Sequence, residues 1–256
     1  MIEVKEIRKG FGDVEVLKGF STTFQKGQTN LIIGQSGSGK TVFLKTMLGL
    51  HKPDSGQIIY DGTPYSNLDE EDQRDLREQI GMVFQGSALF DSMTVEENIA
   101  FPLKMFTKMK KSERIERANV VIDRVNLENA NHKLPSEISG GMQKRVAIAR
   151  AIVNNPKYLF CDEPNSGLDP NTATIIDNLI REITIEYDIT TIINTHDMNS
   201  VMEIGDHIVY LQKGHLAWEG DKTQIFKTDN EDVTNFVYSS NLFKMVREAQ
   251  LSKNSI

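Results

Sequence analysis

Short runs of aliphatic and β-branched residues recur along the chain, each followed by a turn or a polar residue. Runs that are apolar at nearly every position are typical of strands buried on both faces of a parallel sheet. The runs that predict such strands are residues 29–33, 80–84, 158–161 and 190–194. Helical patterns lie between them, so we expect an α/β core around a mostly parallel sheet.

The clearest helical pattern covers residues 172–187. Apolar residues recur there at spacings of three and four, which places them on one helix face, and Pro170 is suited to the first helical turn. The residues expected on the buried face are Ile175, Ile176, Leu179, Ile180 and Ile183.

Two regions depart from this alternation. Short alternating segments in residues 1–28 and 56–62 predict a smaller antiparallel subdomain. From about residue 86 to residue 155 the strand signal fades, and an amphipathic pattern predicts an inserted α-helical subdomain. Its apolar stripe consists of Ile115, Ala118, Val121, Ile122 and Val125.

A hairpin is predicted at Lys213 and Gly214, near the end of a domain that spans residues 1–222. A helical tail is expected over residues 223–256, and we expect it to dock on a partner subunit. Its apolar residues are Val233, Phe236, Val237, Leu242, Phe243, Met245 and Val246.

Composition narrows the class of protein. The 256-residue chain has 29 Lys+Arg and 36 Asp+Glu, a formal net charge of −7, which argues against a nucleic-acid partner. The single cysteine, Cys161, favours a reducing compartment such as the cytosol. The sequence has no run of about 20 apolar residues, so any membrane role is expected to require a partner protein.

The strongest chemical signal lies between a predicted strand and a predicted helix. Its residues are Gly34, Gln35, Ser36, Gly37, Ser38, Gly39, Lys40 and Thr41. This spacing is that of a phosphate loop, in which backbone N–H groups and Lys40 bind phosphate oxygens and the Thr41 hydroxyl ligates Mg²⁺. The alternative is a glycine-rich turn that matches by chance, which the flanking strand and helix disfavour.

Two adjacent carboxylates, Asp162 and Glu163, follow the predicted strand 158–161. A phosphate-loop enzyme needs a partner for Mg²⁺ at such a position. We expect Asp162 to hold the Mg²⁺ shell and Glu163 to polarise the attacking water. Alone, such a pair is most often a solvated loop, but the phosphate loop reverses that preference.

A second anion site is expected where Ser139, Gly140 and Gly141 open a helix. The simpler alternative is a helix cap in which Ser139 is the capping residue. Two anion-binding helix starts in one chain suggest a nucleotide that is shared between two chains.

These motifs, together with Ser166-Gly167-Leu168-Asp169 and Thr195-His196-Asp197, occur in the order seen in ATP-binding cassette (ABC) ATPases. The chain resembles that family over about residues 1–220. The resemblance implies a P-loop NTPase fold of ABC type and hydrolysis of ATP with Mg²⁺. It also implies a homodimer, in which two chains sandwich two nucleotides between the phosphate loop of one and the Ser-Gly-Gly signature of the other.

Further roles are implied residue by residue. Gln85 would sense Mg²⁺ and the attacking water, and His196 would contact the γ-phosphate and orient Glu163. Asp169 would contact the opposite subunit, and Phe11 would stack on adenine. The alternatives are a core or strand-end position for His196 and a core position for Phe11.

The sequence departs from the family pattern at Ile138, Met142 and Asn165, where leucine, glutamine and threonine are usual. None of these changes removes a phosphate ligand, so we expect activity to persist.

The segment 81–103 and the signature with Met142 are similar to the ATPase of Mla-type phospholipid transporters. That resemblance implies an integral permease, a lipid-binding MCE-domain protein and a peripheral position on the cytoplasmic face of the inner membrane. The alternatives are the ATPase of another small-molecule or peptide transporter and a nucleotide-binding scaffold without transport, which Glu163 and His196 disfavour. The interval between Thr41 and Ser139 is too short for the coiled coils of DNA-repair ATPases.

The stretch after Gln85 is expected to form part of a groove that receives a helix of the permease, because exposed apolar clusters mark partner sites. The alternative is that these residues fill the core of the helical subdomain. The candidate walls are Leu89, Phe90, Met93, Phe101, Leu103, Met105 and Phe106.

Overall fold

The computed structural model describes residues 1–238, which form two sheets surrounded by helices. The strands are β1 (Ile2–Phe11), β2 (Val14–Phe24), β3 (Thr29–Ile33), β4 (Ser55–Tyr60), β5 (Thr63–Pro64), β6 (Ile80–Val83), β7 (Tyr158–Asp162), β8 (Thr190–Asn194), β9 (His207–Gln212) and β10 (His215–Gly220). The α-helices are α1 (Lys40–Met47), α2 (Glu70–Glu78), α3 (Val95–Phe106), α4 (Lys111–Arg124), α5 (Gly140–Ile152), α6 (Pro170–Glu186), α7 (Met198–Ile204) and α8 (Glu231–Val237).

The larger sheet has the strand order β10-β9-β3-β8-β7-β6. Neighbouring strands are parallel from β9 to β6, and β10 joins β9 as an antiparallel hairpin. Every residue of β3 and β8 is buried, as expected for strands covered on both faces. The strand predicted over residues 80–84 ends at Val83, and the exposed Phe84 lies just beyond it.

The smaller sheet is antiparallel, with the order β2-β1-β4-β5, which confirms the predicted antiparallel subdomain. Its inner face and the larger sheet enclose α1. The ring of Phe43 on α1 packs against those of Phe20 and Phe24, with centroids 4.9 and 6.1 Å apart. This packing fixes α1, and therefore the loop that precedes it, against both sheets.

The predicted helical subdomain contains α3, α4 and α5. In the apolar stripe of α4, Ala118, Val121, Ile122 and Val125 are buried, while Ile115 is only partly buried. Leu103, expected on a groove wall, is 1% exposed. The groove assignment is therefore wrong for Leu103, because its side chain points from α3 into the core of the subdomain.

The predicted helix at residues 172–187 is α6, but its buried face differs from the predicted one. Ile175 is 48% exposed, whereas Asp177 is 3% exposed and faces inward. Ile176, Ile180 and Ile183 define the buried arc, and Ile175 lies about 100° away from Ile176 around the helix axis. The expectation that Ile175 is buried is therefore wrong.

The C-terminal helix α8 packs on its own chain. Val233 and Val237 are buried, and the ring of Phe236 lies 5.2 Å from that of Tyr210. The tail residues Leu242, Phe243, Met245 and Val246 lie outside the described residues. None of the helices within residues 1–238 has the length and apolar character needed to cross a membrane.

Candidate nucleotide-binding and hydrolysis site

The phosphate loop connects the buried strand β3 to α1. Gly34 has φ 151°, and a Cβ on it would lie 2.2 Å from the carbonyl oxygen of Leu211. Gly39, the N-cap of α1, has a left-handed conformation with φ 105°. Glycine is therefore required at both ends of the loop, where the backbone passes close to β9 and then turns into the helix.

A cavity of about 700 Å³ lies over the loop, at the carboxyl ends of the parallel strands. Ligands of open α/β sheets bind at this edge. The cavity is lined by Val16, Gly34, Gln35, Ser36, Gly37, Ser38, Gly39, Lys40, Thr41, Val42, Gln85, Asp162, Glu163, His196 and Phe236. The structure thus brings together the entire phosphate loop and the four residues predicted for Mg²⁺ and catalysis.

Polar groups of the loop fit a chain of phosphates. The Nζ of Lys40 donates to the carbonyl oxygens of Gly34 at 2.7 Å and Gln35 at 3.2 Å. Burial lowers the pKa of Lys40, while Glu163 and Asp162 counteract this effect. The Ser38 hydroxyl is buried and makes no hydrogen bond within residues 1–238. Such an orphaned donor is suited to a phosphate oxygen.

The predicted Mg²⁺ ligands Thr41 and Asp162 line the same cavity. Hydroxyl and carboxylate oxygens are the hard donors that Mg²⁺ prefers, together with substrate phosphates. Oδ1 of Asp162 accepts a hydrogen bond of 3.1 Å from Nδ2 of Asn194, at the end of the adjacent strand β8. The residues present therefore fit Mg²⁺ bound with a nucleotide.

Glu163 and His196 form a pair at the ends of β7 and β8. Nδ1 of His196 lies 2.8 Å from Oε1 of Glu163. The Glu163 backbone is left-handed, with φ 49°, which is rare for a residue with a side chain and is often found at functional sites. Its N–H donates to the carbonyl oxygen of Asn194. The pair can therefore orient a water molecule beside the phosphate loop.

Gln85 lies just after β6, the edge strand of the larger sheet. Its Nε2 is 3.5 Å from Oγ of Ser166, in the segment that follows Glu163. Its side chain is exposed and lines the cavity. The predicted role of Gln85 with Mg²⁺ and water is compatible with this position and stays a prediction.

Four residues predicted to act across a dimer do not line the cavity. Ser139, Gly140 and Gly141 form the start of α5, and Oγ of Ser139 accepts a 3.3 Å hydrogen bond from the N–H of Met142. Asp169 caps α6 through the N–H groups of Asn171 and Thr172. Within one chain Ser139 and Asp169 act as helix caps, and Gly140 and Gly141 are the first two residues of α5. The role of all four residues toward the ATP of a second chain stays a prediction.

Phe11 lies at the end of β1 and is 46% exposed. Its ring is edge-on to that of His51 at 5.2 Å, and Nζ of Lys9 lies 5.2 Å from its centroid. A core position for Phe11 is therefore wrong. Phe11 does not line the phosphate-loop cavity, and its stacking on adenine stays a prediction.

Asn165, one of the departures from the family pattern, has a structural role. It is 7% exposed, and its Nδ2 donates to Oδ2 of Asp177 at 3.2 Å and to Oγ of Ser200 at 2.8 Å. Burial raises the pKa of Asp177 to about 6. The cluster joins the segment after Glu163 to α6 and α7.

Sequence reasoning missed three residues of the cavity wall: Val16, Phe236 and Val42 in the first turn of α1. Val16 is on β2, and Phe236 is on α8 near the end of the described chain. Phe236 could be recognised only as part of an apolar tail pattern, which gives no information about its neighbours. Val16 has no distinguishing sequence signal.

A second concavity, here called the apolar groove, has a volume of about 360 Å³ and lies between β6, α3 and α5. Its walls include Met82, Phe84, Ala88, Phe90, Phe101, Pro102, Met105, Phe106, Arg150 and Ala151. Four of the predicted wall residues are therefore present. Leu89 instead packs partly into the core, and Met93 lines a neighbouring cleft.

The parallel sheet, the phosphate loop and the acidic strand end define a P-loop nucleotide-hydrolysing domain. Comparison with known proteins identifies the family: the ABC transporter model matches residues 17–166. The chain therefore belongs to the ABC transporter family, as an ATPase domain that uses ATP and Mg²⁺.

Relatives in this family differ in their transported substrates. Over 236 residues the chain is 37% identical to the probable ribonucleotide transport ATP-binding protein mkl of Mycobacterium tuberculosis, covering 92% of this chain and 66% of that protein. It is 38% identical over 238 residues to the methionine import ATP-binding protein MetN of Bacillus subtilis, covering 91% and 70%. The chain thus spans about two thirds of the length of these relatives.

The fold matches that of a solved cassette. The dimeric structure of MJ0796, a bacterial ABC transporter cassette, aligns with a TM-score of 0.79 and 33% identity, covering 87% of this chain and 99% of that one. A dimeric post-hydrolysis structure of the same cassette, bound to ADP and Pi, aligns with a TM-score of 0.77.

Proposed function

We propose that this chain is the ATP-hydrolysing subunit of a membrane transporter of the Mla type, which moves phospholipids between the inner and outer membranes. The observation that carries the hydrolytic part is the cavity that combines Lys40, Glu163 and His196. ATP closes a homodimer, closure moves a permease, and hydrolysis reopens the dimer.

In this proposal each part of the cavity has one task. Lys40 and the loop N–H groups hold the phosphates. Glu163 accepts a proton from the attacking water, and His196, 2.8 Å away, keeps the carboxylate directed at that water and contacts the γ-phosphate. Mg²⁺, held by Thr41 and Asp162, would neutralise charge on the phosphate oxygens.

The homodimer part of the proposal rests on residues that do not line the cavity of their own chain. Ser139, Gly140 and Gly141 present the N-terminus of a 13-residue helix, whose dipole and free N–H groups favour an anion. A second chain would supply the phosphates to this surface, and Asp169 would lie at the same contact. The exposed residues at the start of α5 support this arrangement.

The apolar groove supports a permease as the partner. Phe90, Met105 and Phe106 are 40%, 55% and 39% exposed, and contiguous exposed apolar surface marks a partner site. We propose that a cytoplasmic helix of the permease lies in this groove. The chain would then act as a peripheral subunit on the cytoplasmic face of the inner membrane.

Phospholipid as the substrate is supported by the segment 81–103 and by Met142 in the signature, and an MCE-domain protein would be a further subunit. The similarity to MetN, at 38% identity, favours a second candidate, a small-molecule importer. Purification of the chain with its permease, followed by mass spectrometry of the bound ligand, separates the two. Bound phospholipid supports the first proposal, and a bound amino acid contradicts it.

The hydrolytic assignment is tested with Glu163→Gln. Removal of the base should lower the rate of ATP hydrolysis about 1000-fold while ATP binding persists, so that the variant accumulates as an ATP-bound dimer in size-exclusion chromatography. Glu186→Gln is the matched control, because Glu186 forms a surface ion pair with Arg124 and does not line the cavity. Unchanged turnover in Glu163→Gln would refute the assignment of the base.

A further inference from the structure

Two buried cations on α5 contact the loop that follows β6. Lys144 is 5% exposed and Arg150 is 9% exposed. The loop, residues 85–88, begins with Gln85 in the phosphate-loop cavity and ends with Ala88 in the wall of the apolar groove. The same short segment therefore borders both concavities.

Both cations bind backbone carbonyl groups of this loop. Nζ of Lys144 donates to the carbonyl oxygen of Gln85. Nη1 of Arg150 donates to the carbonyl oxygen of Ala88 and Nη2 to that of Ser87, each at 2.7 Å. The four residues of the loop are thus held at three of their carbonyl groups by one helix.

Burial of two cations, Lys144 and Arg150, costs solvation free energy. Burial lowers the pKa of Lys144 and of Arg150, which shows that each charge is partly removed from water. An apolar side chain of similar length would fill the same space without that penalty. The cations are therefore better explained by the donors that they direct at the loop than by packing.

The loop has an unusual backbone that needs such support. Ser87 and Ala88 are consecutive residues with φ 62° and 47°, a left-handed conformation that residues with a side chain seldom adopt. Strained conformations persist where surrounding contacts hold them, and they are concentrated at functional sites. Arg150 binds the carbonyl groups of these same two residues.

We propose that Lys144 and Arg150 are positioning residues for ATP hydrolysis, which hold residues 85–88 in the conformation that directs the Gln85 side chain into the phosphate-loop cavity. Because Arg150 and Ala88 also line the apolar groove, a segment bound there acts on the same hydrogen bonds. This inference rests on the proposed role of Gln85 at the Mg²⁺ and water site.

The test compares Arg150→Gln with Arg117→Gln in the full chain. Arg117 also makes two hydrogen bonds, to the carbonyl oxygen of Val153 and to Oδ1 of Asn155, but it lies away from residues 85–88. For Arg150→Gln we expect kcat to fall about tenfold and the Mg²⁺ concentration for half-maximal hydrolysis to rise about fivefold. Both values should stay within about twofold of wild type in Arg117→Gln.

Two further measurements separate positioning from folding. Hydrogen exchange followed by mass spectrometry should show faster exchange in residues 83–90 of Arg150→Gln, at an unchanged affinity for ATP without Mg²⁺. Arg150→Lys should restore part of kcat, because lysine keeps one donor. If Arg150→Gln does not fold, Lys144→Gln carries the same test at the Gln85 end of the loop.

The proposal is overturned if the Arg150 and Lys144 variants lose thermal stability but keep the Mg²⁺ dependence of the wild type. That result is distinct from failure of the hydrolytic assignment, which Glu163→Gln reports independently of Mg²⁺ dependence. A Glu163→Gln variant that hydrolyses ATP normally would refute the assignment of Glu163, whatever Arg150→Gln shows.

Discussion

The phosphate-loop cavity and the start of α5 each contain the N-terminus of a helix with glycines beside it. They differ in how much of an anion-binding site one chain supplies. In the cavity, Lys40, Glu163 and His196 follow β3, β7 and β8, which are neighbours in the sheet order. At α5, Oγ of Ser139 accepts a hydrogen bond from the N–H of Met142, in the first turn of the same helix. The first set converges within one chain, whereas the second lines no part of the cavity.

The difference shows what each kind of element can do. Parallel strands bring residues that are distant in sequence to one edge, so a single chain can build a convergent site. A helix start on the surface offers N–H groups but no opposing wall. Completion of the second site therefore requires another molecule, in our proposal a second copy of this chain.

The largest expected effect concerns the convergent region. Lys40→Met removes the cation that faces the phosphates while keeping the length of the side chain, and we expect the affinity for ATP to fall about 1000-fold. The measurement is equilibrium binding of a fluorescent ATP analogue. Lys45→Met on the exposed side of α1 is the control and should bind as wild type. Retention of ATP affinity in Lys40→Met would contradict the convergent site.

Much of the fold could be predicted because buried parallel strands leave a strong local signal. β3 and β8 have the predicted bounds, since every one of their positions is buried. Strand order could not be predicted, because it depends on contacts between distant segments. The buried face of α6 was predicted wrongly at Ile175, where a charged residue, Asp177, takes an inward position that a hydrophobic pattern cannot show.

The candidate site divides in the same way. The spacing from Gly34 to Thr41 encodes backbone geometry directly, so the phosphate loop could be found from sequence. Val16 and Phe236 are ordinary apolar residues whose position at the cavity depends on the fold. The contacts of Arg150 with residues 85–88 also depend on the left-handed turn there. The residue types at these positions do not predict that turn.

A smaller effect is expected at the apolar groove, where we propose that the permease binds. Phe90→Asp combined with Met105→Asp places two charges on its walls, and we expect affinity for the permease to fall about 100-fold. The measurement is co-purification and biolayer interferometry with the permease in detergent. Ile185→Asp changes another exposed apolar residue, 60% exposed on α6, and should bind normally. Tight binding of the double variant, with its fold intact, would exclude the groove as the docking site.

The smallest effect concerns the buried cluster between α6 and α7, in which Asn165 joins Asp177 to Ser200. The folded-state pKa of Asp177, about 6, lies above its ordinary value of 3.8. The folded protein therefore binds more protons between these values, and this group's contribution to stability is lost as pH rises through about 6. Asp177→Asn removes that dependence, so its free energy of unfolding relative to wild type should rise by about 2 kcal/mol between pH 4.5 and pH 7.5. Urea titrations followed by the fluorescence of Trp218 measure this difference, with the surface variant Asp123→Asn as the control. An unchanged difference between Asp177→Asn and wild type at the two pH values would show that Asp177 stays ionised in the fold.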